Sequence, residues 1–174
     1  MSDYASVTGG YDSPVADLSE LPLTLRLFLK AYRWRRIDPV PLARMTKALP
    51  QAKVALVSTA GLVLPSQEPF DDSIKGGDWS FREIPADADV HSMIDSHRSE
   101  SFDHTGVRSD PNLAFPLDRL RELAEEGAIG EVNRRHFSLM GSLTAPGRMT
   151  ERSAPKIVEA LVADGVDAAL LVPI

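Results

Sequence analysis

With 174 residues, 43% of them hydrophobic and 25% charged, the chain is long enough to bury one substantial core. A net charge of −6 and a pI near 5.2 argue against a general nucleic-acid binder, which needs a basic surface to displace counterions from phosphate. The chain has no cysteine, so disulfides, CxxC redox pairs and thiolate zinc sites are excluded from this stretch, and any thiol-type chemistry must come from outside it.

In chain order, residues 1–20 are rich in Gly, Ser, Asp and Tyr without an apolar period and read as a flexible arm, leaving 21–174 as one domain. The start has neither the basic n-region nor the apolar h-region of a secretory signal, and no run of 18 apolar residues occurs, so the cytoplasm is the expected location. Leu23, Leu27, Phe28 and Tyr32 recur at helical spacing up to a basic cluster of Arg33, Arg35 and Arg36. That cluster, beside Tyr32 and Trp34, reads as a solvated helix end favoured by the dipole or as an anion or stacking patch. Pro41 suits the first turn of a second short helix. Lys53-Val-Ala-Leu-Val-Ser-Thr is a nearly continuous apolar run, the mark of a buried parallel strand, and it opens into a loop at 58–61.

Residues 65–78 read as loop, 79–84 as an imperfect strand stopped by Pro85, and 90–96 as a further strand leading into a polar segment over 97–112. Leu117, Leu120 and Leu123, with proline before them and Gly127 after, predict a helix. A strand over 136–140 follows, then a helix capped by Thr150 or Ser153 that runs to Gly165. Asp167-Ala-Ala-Leu-Leu-Val-Pro-Ile is a second buried strand. Strands alternating with helices predict an α/β fold, a mainly parallel sheet flanked by helices. Ligands in such sheets gather beyond the carboxyl ends of the strands, which points to 58–61 and to whatever follows Ile174. A strand of this kind ordinarily continues into a loop and helix. The expectation is therefore that the domain is incomplete at its C-terminal end, the rival being a genuine terminal strand.

Asp95, His97, Glu100, Asp103 and His104 crowd into ten residues. Imidazole titrates near neutrality and carboxylates orient it, so acid–base work, a substrate- or partner-contacting loop, or a solvated loop all fit. The spacing of His97 and His104 matches no strong metal signature, and no metal site is expected, which leaves a metal-dependent hydrolase as the weakest reading. His136 either faces the same pocket or is a hydrogen-bonded structural histidine. Residues 58–61 could offer backbone N–H groups to a carboxylate. No G-x-S-x-G, Walker loop or G-x-G-x-x-G occurs.

Several stretches together resemble the selenoprotein B family of glycine, sarcosine and betaine reductases, related to the selenocysteine subunit of D-proline reductase. They include Val54-Ala-Leu-Val-Ser-Thr-Ala-Gly-Leu, Gly77-Asp-Trp-Ser-Phe-Arg-Glu-Ile-Pro, Ser96-His, Phe102-Asp-His and Asp110-Pro-Asn. Phe115-Pro-Leu-Asp-Arg-Leu-Arg-Glu-Leu, Gly127-Ala-Ile-Gly and Asp164-Gly-Val-Asp-Ala-Ala-Leu-Leu-Val-Pro complete the set, which runs from about residue 22 to the end. The resemblance implies a selenocysteine or cysteine directly after Ile174, with an in-frame UGA codon read as a stop, and a chain of this length inactive alone. It implies reductive C–N cleavage of a small amine-type substrate, a thiol reductant and a partner subunit bearing a pyruvoyl group; self-association is left open. His97, Asp103 and His104 would then be catalytic, with Ser58, Thr59, Gly61 and His136 binding substrate around the missing residue. The alternative is a non-catalytic α/β binding module without the redox residue. A half-built sheet would expose apolar strand surface and make the chain poorly soluble.

Overall fold

The computed structural model describes residues 18–32, 36–41 and 43–174, and the chain divides into two compact units, Met1–Ala43 and Arg44–Ile174. Residues 1–17 of the expected arm, and Arg33, Trp34 and Arg35 of the basic cluster, lie outside the described residues. In the first unit, helix α1 (Leu23–Ala31) forms where the apolar spacing placed it, after a 3-10 turn at Leu18–Glu20. None of its residues is buried, and the Phe28 and Tyr32 rings meet at 5.9 Å.

The second unit is built on strand β1 (Lys53–Ser58), whose side chains are buried on both faces as its apolar run requires. On one side, β1 pairs in parallel with the last strand of the chain (Ala168–Val172) from Val54 to Ser58. On the other it pairs in parallel first with a two-residue strand, Glu131–Val132, then with Arg135–Leu139. Phe81–Pro85 closes that side, antiparallel to Arg135–Leu139. With the small antiparallel pair Leu62–Val63 and Ile94–Asp95, the strands are β1 (53–58), β2 (62–63), β3 (81–85), β4 (94–95), β5 (131–132), β6 (135–139) and β7 (168–172).

Alternation along β1 sends its side chains to two separate clusters. Val54 and Leu56 join Ile84, Val90, Phe115 and the buried leucines of helix α3 (Leu117–Glu125), Leu117 and Leu120. Val57 joins Phe137, Leu139 and Ile157, the last from helix α4 (Ala154–Ala163). Helix α3 ends as its sequence predicts, with Gly127 at φ +72°, a conformation that favours glycine. The α/β class and the mostly parallel sheet are therefore as expected.

Four local expectations change. The helix expected from Pro41 does not form among the described residues, where only a 3-10 turn, Leu49–Gln51, precedes β1; residues 43–51 are exposed, and a short helix with nothing to bury is marginal in water. The polar segment contains helix α2 (His104–Ser109), and the strand expected over 90–96 is a 3-10 turn, Val90–Ser92, followed by the two-residue β4. Neither Thr150 nor Ser153 caps α4. The Thr150 hydroxyl donates to Pro146 O at 3.1 Å, that of Ser153 donates to Trp79 O, and a π turn at Met149–Ser153 leads into the helix.

Candidate functional site

A cavity of about 450 Å³ opens beyond the carboxyl ends of β1, β6 and β7, where an α/β sheet is expected to bind ligands. His97, Phe102, Asp103, Gly141, Ser142 and Ile174 are among the residues that line it. The chain leaving β1 turns at Gly61, whose φ of +66° favours glycine. A Cβ at Gly61 would stand 3.2 Å from His97 Cα, so the missing side chain lets the segment after β4 close against the strand. Ser96 N–H donates to Gly61 O at 3.1 Å and completes that approach.

Asp95 organises the wall. Its side chain is only 3% exposed; Oδ1 accepts the His97 backbone N–H at 3.1 Å, while Oδ2 meets His104 Nδ1 at 2.6 Å and Arg108 Nη2 at 3.1 Å. His104 Nε2 faces Ser99 O at 3.0 Å, so both of its ring nitrogens point at oxygen acceptors and the ring is fixed. His97 Nδ1 accepts Ser99 N–H at 3.3 Å, which assigns the ring proton to Nε2, a buried atom without a partner. The His97 ring packs on Phe102 at 4.4 Å. Burial lowers the His97 pKa, and neighbouring His104 adds to that while Asp95 opposes it, so the ring is neutral at pH 7. Asp103 caps α2, accepting Gly106 N–H at 2.9 Å.

The structure thus brings His97 and Asp103 to the cavity, with His104 one contact behind. Ser58, Thr59 and Gly61 surround the turn without lining the cavity. Ser58 is fully buried, donating to Ala114 O at 2.6 Å and accepting Ala60 N–H at 3.2 Å, which leaves its hydroxyl committed to the fold. Thr59 Oγ1 accepts Ile174 N–H at 2.8 Å. His136 lies apart, fully buried on β6, where Nδ1 accepts Leu56 N–H at 2.9 Å across the break between β5 and β6. Burial pushes its pKa down to about 4, so it is a neutral histidine of the core. Sequence reasoning put Asp95 in the cluster without a task and missed Gly141, since a lone glycine after a strand carries little signal. Among the described residues no group of three His, Cys, Asp or Glu side chains is placed to hold a metal ion.

The model of the glycine/sarcosine/betaine reductase selenoprotein B family matches residues 22–173. The chain belongs to that family. D-proline reductase subunit gamma of Acetoanaerobium sticklandii is 38% identical to this member over 136 residues, 78% of this chain and 54% of that protein. Sarcosine reductase complex component B subunit beta of Peptoclostridium acidaminophilum is 33% identical, covering 77% of this chain and 30% of its own length. Glycine reductase complex component B subunit gamma of the same organism is 29% identical over 80% of this chain and 32% of its own. This member therefore spans between about a third and about half of these curated relatives. No solved structure matches it. Among its described residues no helix is long and apolar enough to cross a membrane.

Proposed function

We propose that the chain is a selenoprotein B-type reductase subunit that takes part in reductive cleavage of a small amine-type substrate of the glycine, betaine, sarcosine or proline class. The observation that carries this reading is the place of Ile174. The tip of β7 lines the same cavity as His97 and Asp103, so a residue directly after it would enter that cavity. A selenocysteine or cysteine there would supply the nucleophile for C–N cleavage. Among the described residues no Lys or Arg lines the cavity.

The chain's own residues would then bind and orient. Among the described residues Asp103 is the one side-chain carboxylate of the lining, and its sign suits the nitrogen end of an amine substrate. His97 presents a neutral ring whose Nδ1 accepts Ser99 N–H, while Asp95 holds its backbone N–H, and His104, tied to Asp95 and Ser99, fixes the loop that carries both. The relatives named as components of reductase complexes support partner subunits. A pyruvoyl-bearing subunit and a thiol reductant belong to the proposal as what the family resemblance implies.

Reading the gene past codon 174, with intact mass and selenium content of the product in its native host, tests the proposal. The expected result is an in-frame UGA followed by further coding sequence, and selenium in a product heavier than 19.0 kDa. A different stop codon and a selenium-free product of 19.0 kDa would overturn it in favour of a binding module without the redox residue.

A further inference from the structure

The β1–β7 ladder runs in register up to Ser58 opposite Val172, and Thr59 N–H adds a last rung to Val172 O at 3.0 Å. Pro173 has no N–H to offer, so the strand would ordinarily come free of the sheet at this point. Instead the Thr59 side chain takes over. Its Oγ1 accepts Ile174 N–H at 2.8 Å and donates to Ile174 O at 3.3 Å, which holds one residue by both of its backbone polar groups. On the far side, Gly141 N–H donates to Thr59 O at 2.7 Å. A Cβ at Gly141 would stand 2.5 Å from Ile174 O and 2.9 Å from Thr59 O, too close for either to stay in place. Ile174 and Gly141 both line the cavity.

We infer that Thr59 is a positioning residue, whose hydroxyl clamps the backbone of Ile174 so that the next residue of the chain is delivered into the cavity, with Gly141 as the clearance that lets the clamp close. Thr59 binds the protein's own backbone in this role, and not the substrate. The functional part of the inference rests on the reading that the reactive residue follows Ile174; the clamp itself does not.

Two measurements separate them. In the 174-residue chain, amide hydrogen exchange at Ile174 is compared between wild type, Thr59→Val, which keeps the shape without the hydroxyl, and Thr59→Ser, which keeps the hydroxyl. One net hydrogen bond of about 1 kcal/mol predicts roughly fivefold faster exchange at Ile174 in Thr59→Val, wild-type exchange in Thr59→Ser, and unchanged exchange at Leu56 in both. Equal exchange at Ile174 in all three proteins would overturn the clamp. In the selenium-bearing product, Thr59→Val should lower kcat at nearly constant KM and change the rate of selenol alkylation by iodoacetamide, and Thr59→Ser should restore both. If selenium is present and neither quantity moves, the positioning role fails while the reductase reading stands. If Ile174 exchange responds but no selenol or thiol follows that residue, the clamp stands and the reductase reading fails.

Discussion

Among the described residues the two sides of the sheet are bounded by β3, beyond β6, and by β7, beside β1, and these strands are finished in different ways. β3 carries two adjacent charged residues, Arg82 and Glu83, and is overlaid by the segment before it. Gln67 donates to Glu83 O at 2.7 Å, and the Arg82 guanidinium donates to Glu68 O at 2.8 Å and Pro69 O at 3.0 Å while lying 4.4 Å over the Phe70 ring. That is an edge protected by charge, by side-chain bonds and by its closing proline. β7 reads Ala-Ala-Leu-Leu-Val, without a charge, and pairs only with β1 among the described strands. Leu171 is 66% exposed and Leu170 42%; on α4, Val158 and Val162 are exposed as well. An aliphatic strand of this composition belongs where both faces are covered, so the two edges show which side of the sheet is complete and which still calls for a partner surface.

The comparison breaks first if the closed side turns out not to be the stable one. Phe137 is fully buried between β1 and α4, edge-on to Phe81 at 5.7 Å. Phe137→Ala should cost about 3–5 kcal/mol in urea unfolding, through lost burial and a residual cavity. A loss below about 1 kcal/mol would mean that this cluster is not packed as described.

The next effect is on pH. His136 has a folded pKa lowered to about 4 from 6.5, so the unfolded chain binds a proton more readily than the native one. Stability therefore rises with pH in this window: the contribution of neutral His136 is complete above about 6.5 and is lost as pH falls toward 4, by roughly 3 kcal/mol. In His136→Asn, whose amide oxygen can accept Leu56 N–H in place of Nδ1, thermal melts between pH 4 and 7 should show a flatter profile. An unchanged slope would locate the acid sensitivity elsewhere. At the cavity, Asp95→Asn leaves three donors sharing one carbonyl oxygen and should cost roughly 1–3 kcal/mol, read in the same melts, with a loosened 97–104 segment seen as faster amide exchange.

How far the sequence was readable follows the same division. Long apolar runs and helical periods located β1, β7, α3 and α4, because burial on the sheet is what those patterns encode. β2, β4 and β5 have two residues each, too few for any period, and helix α2 forms in a polar stretch with only Val107 buried, where Asp103 and Gly106 make the cap. The same limit applies to the site. Clustering in sequence pointed to His97, Asp103 and His104, since the segment folds on itself. The separation of His136 from them, and the meeting of Thr59, Gly141 and Ile174, arise from strand order, which a single sequence does not display.

The smallest effect on stability is the one that sharpens the contrast most. Leu171 projects from β7 on the α4 side, in register with Val57. Because it is already largely in water, Leu171→Lys should change unfolding free energy by no more than about 0.5 kcal/mol. An open apolar edge is also a template for pairing with other chains, and a lysine there opposes it by charge and by loss of apolar contact. Light scattering across a concentration series should show wild type associating as concentration rises and Leu171→Lys remaining smaller. The matching change on the finished edge, Glu83→Lys, should leave association unaltered. If both variants behaved like wild type, or if wild type stayed monomeric throughout, β7 would be as well protected as β3, and the distinction between the two edges would be lost.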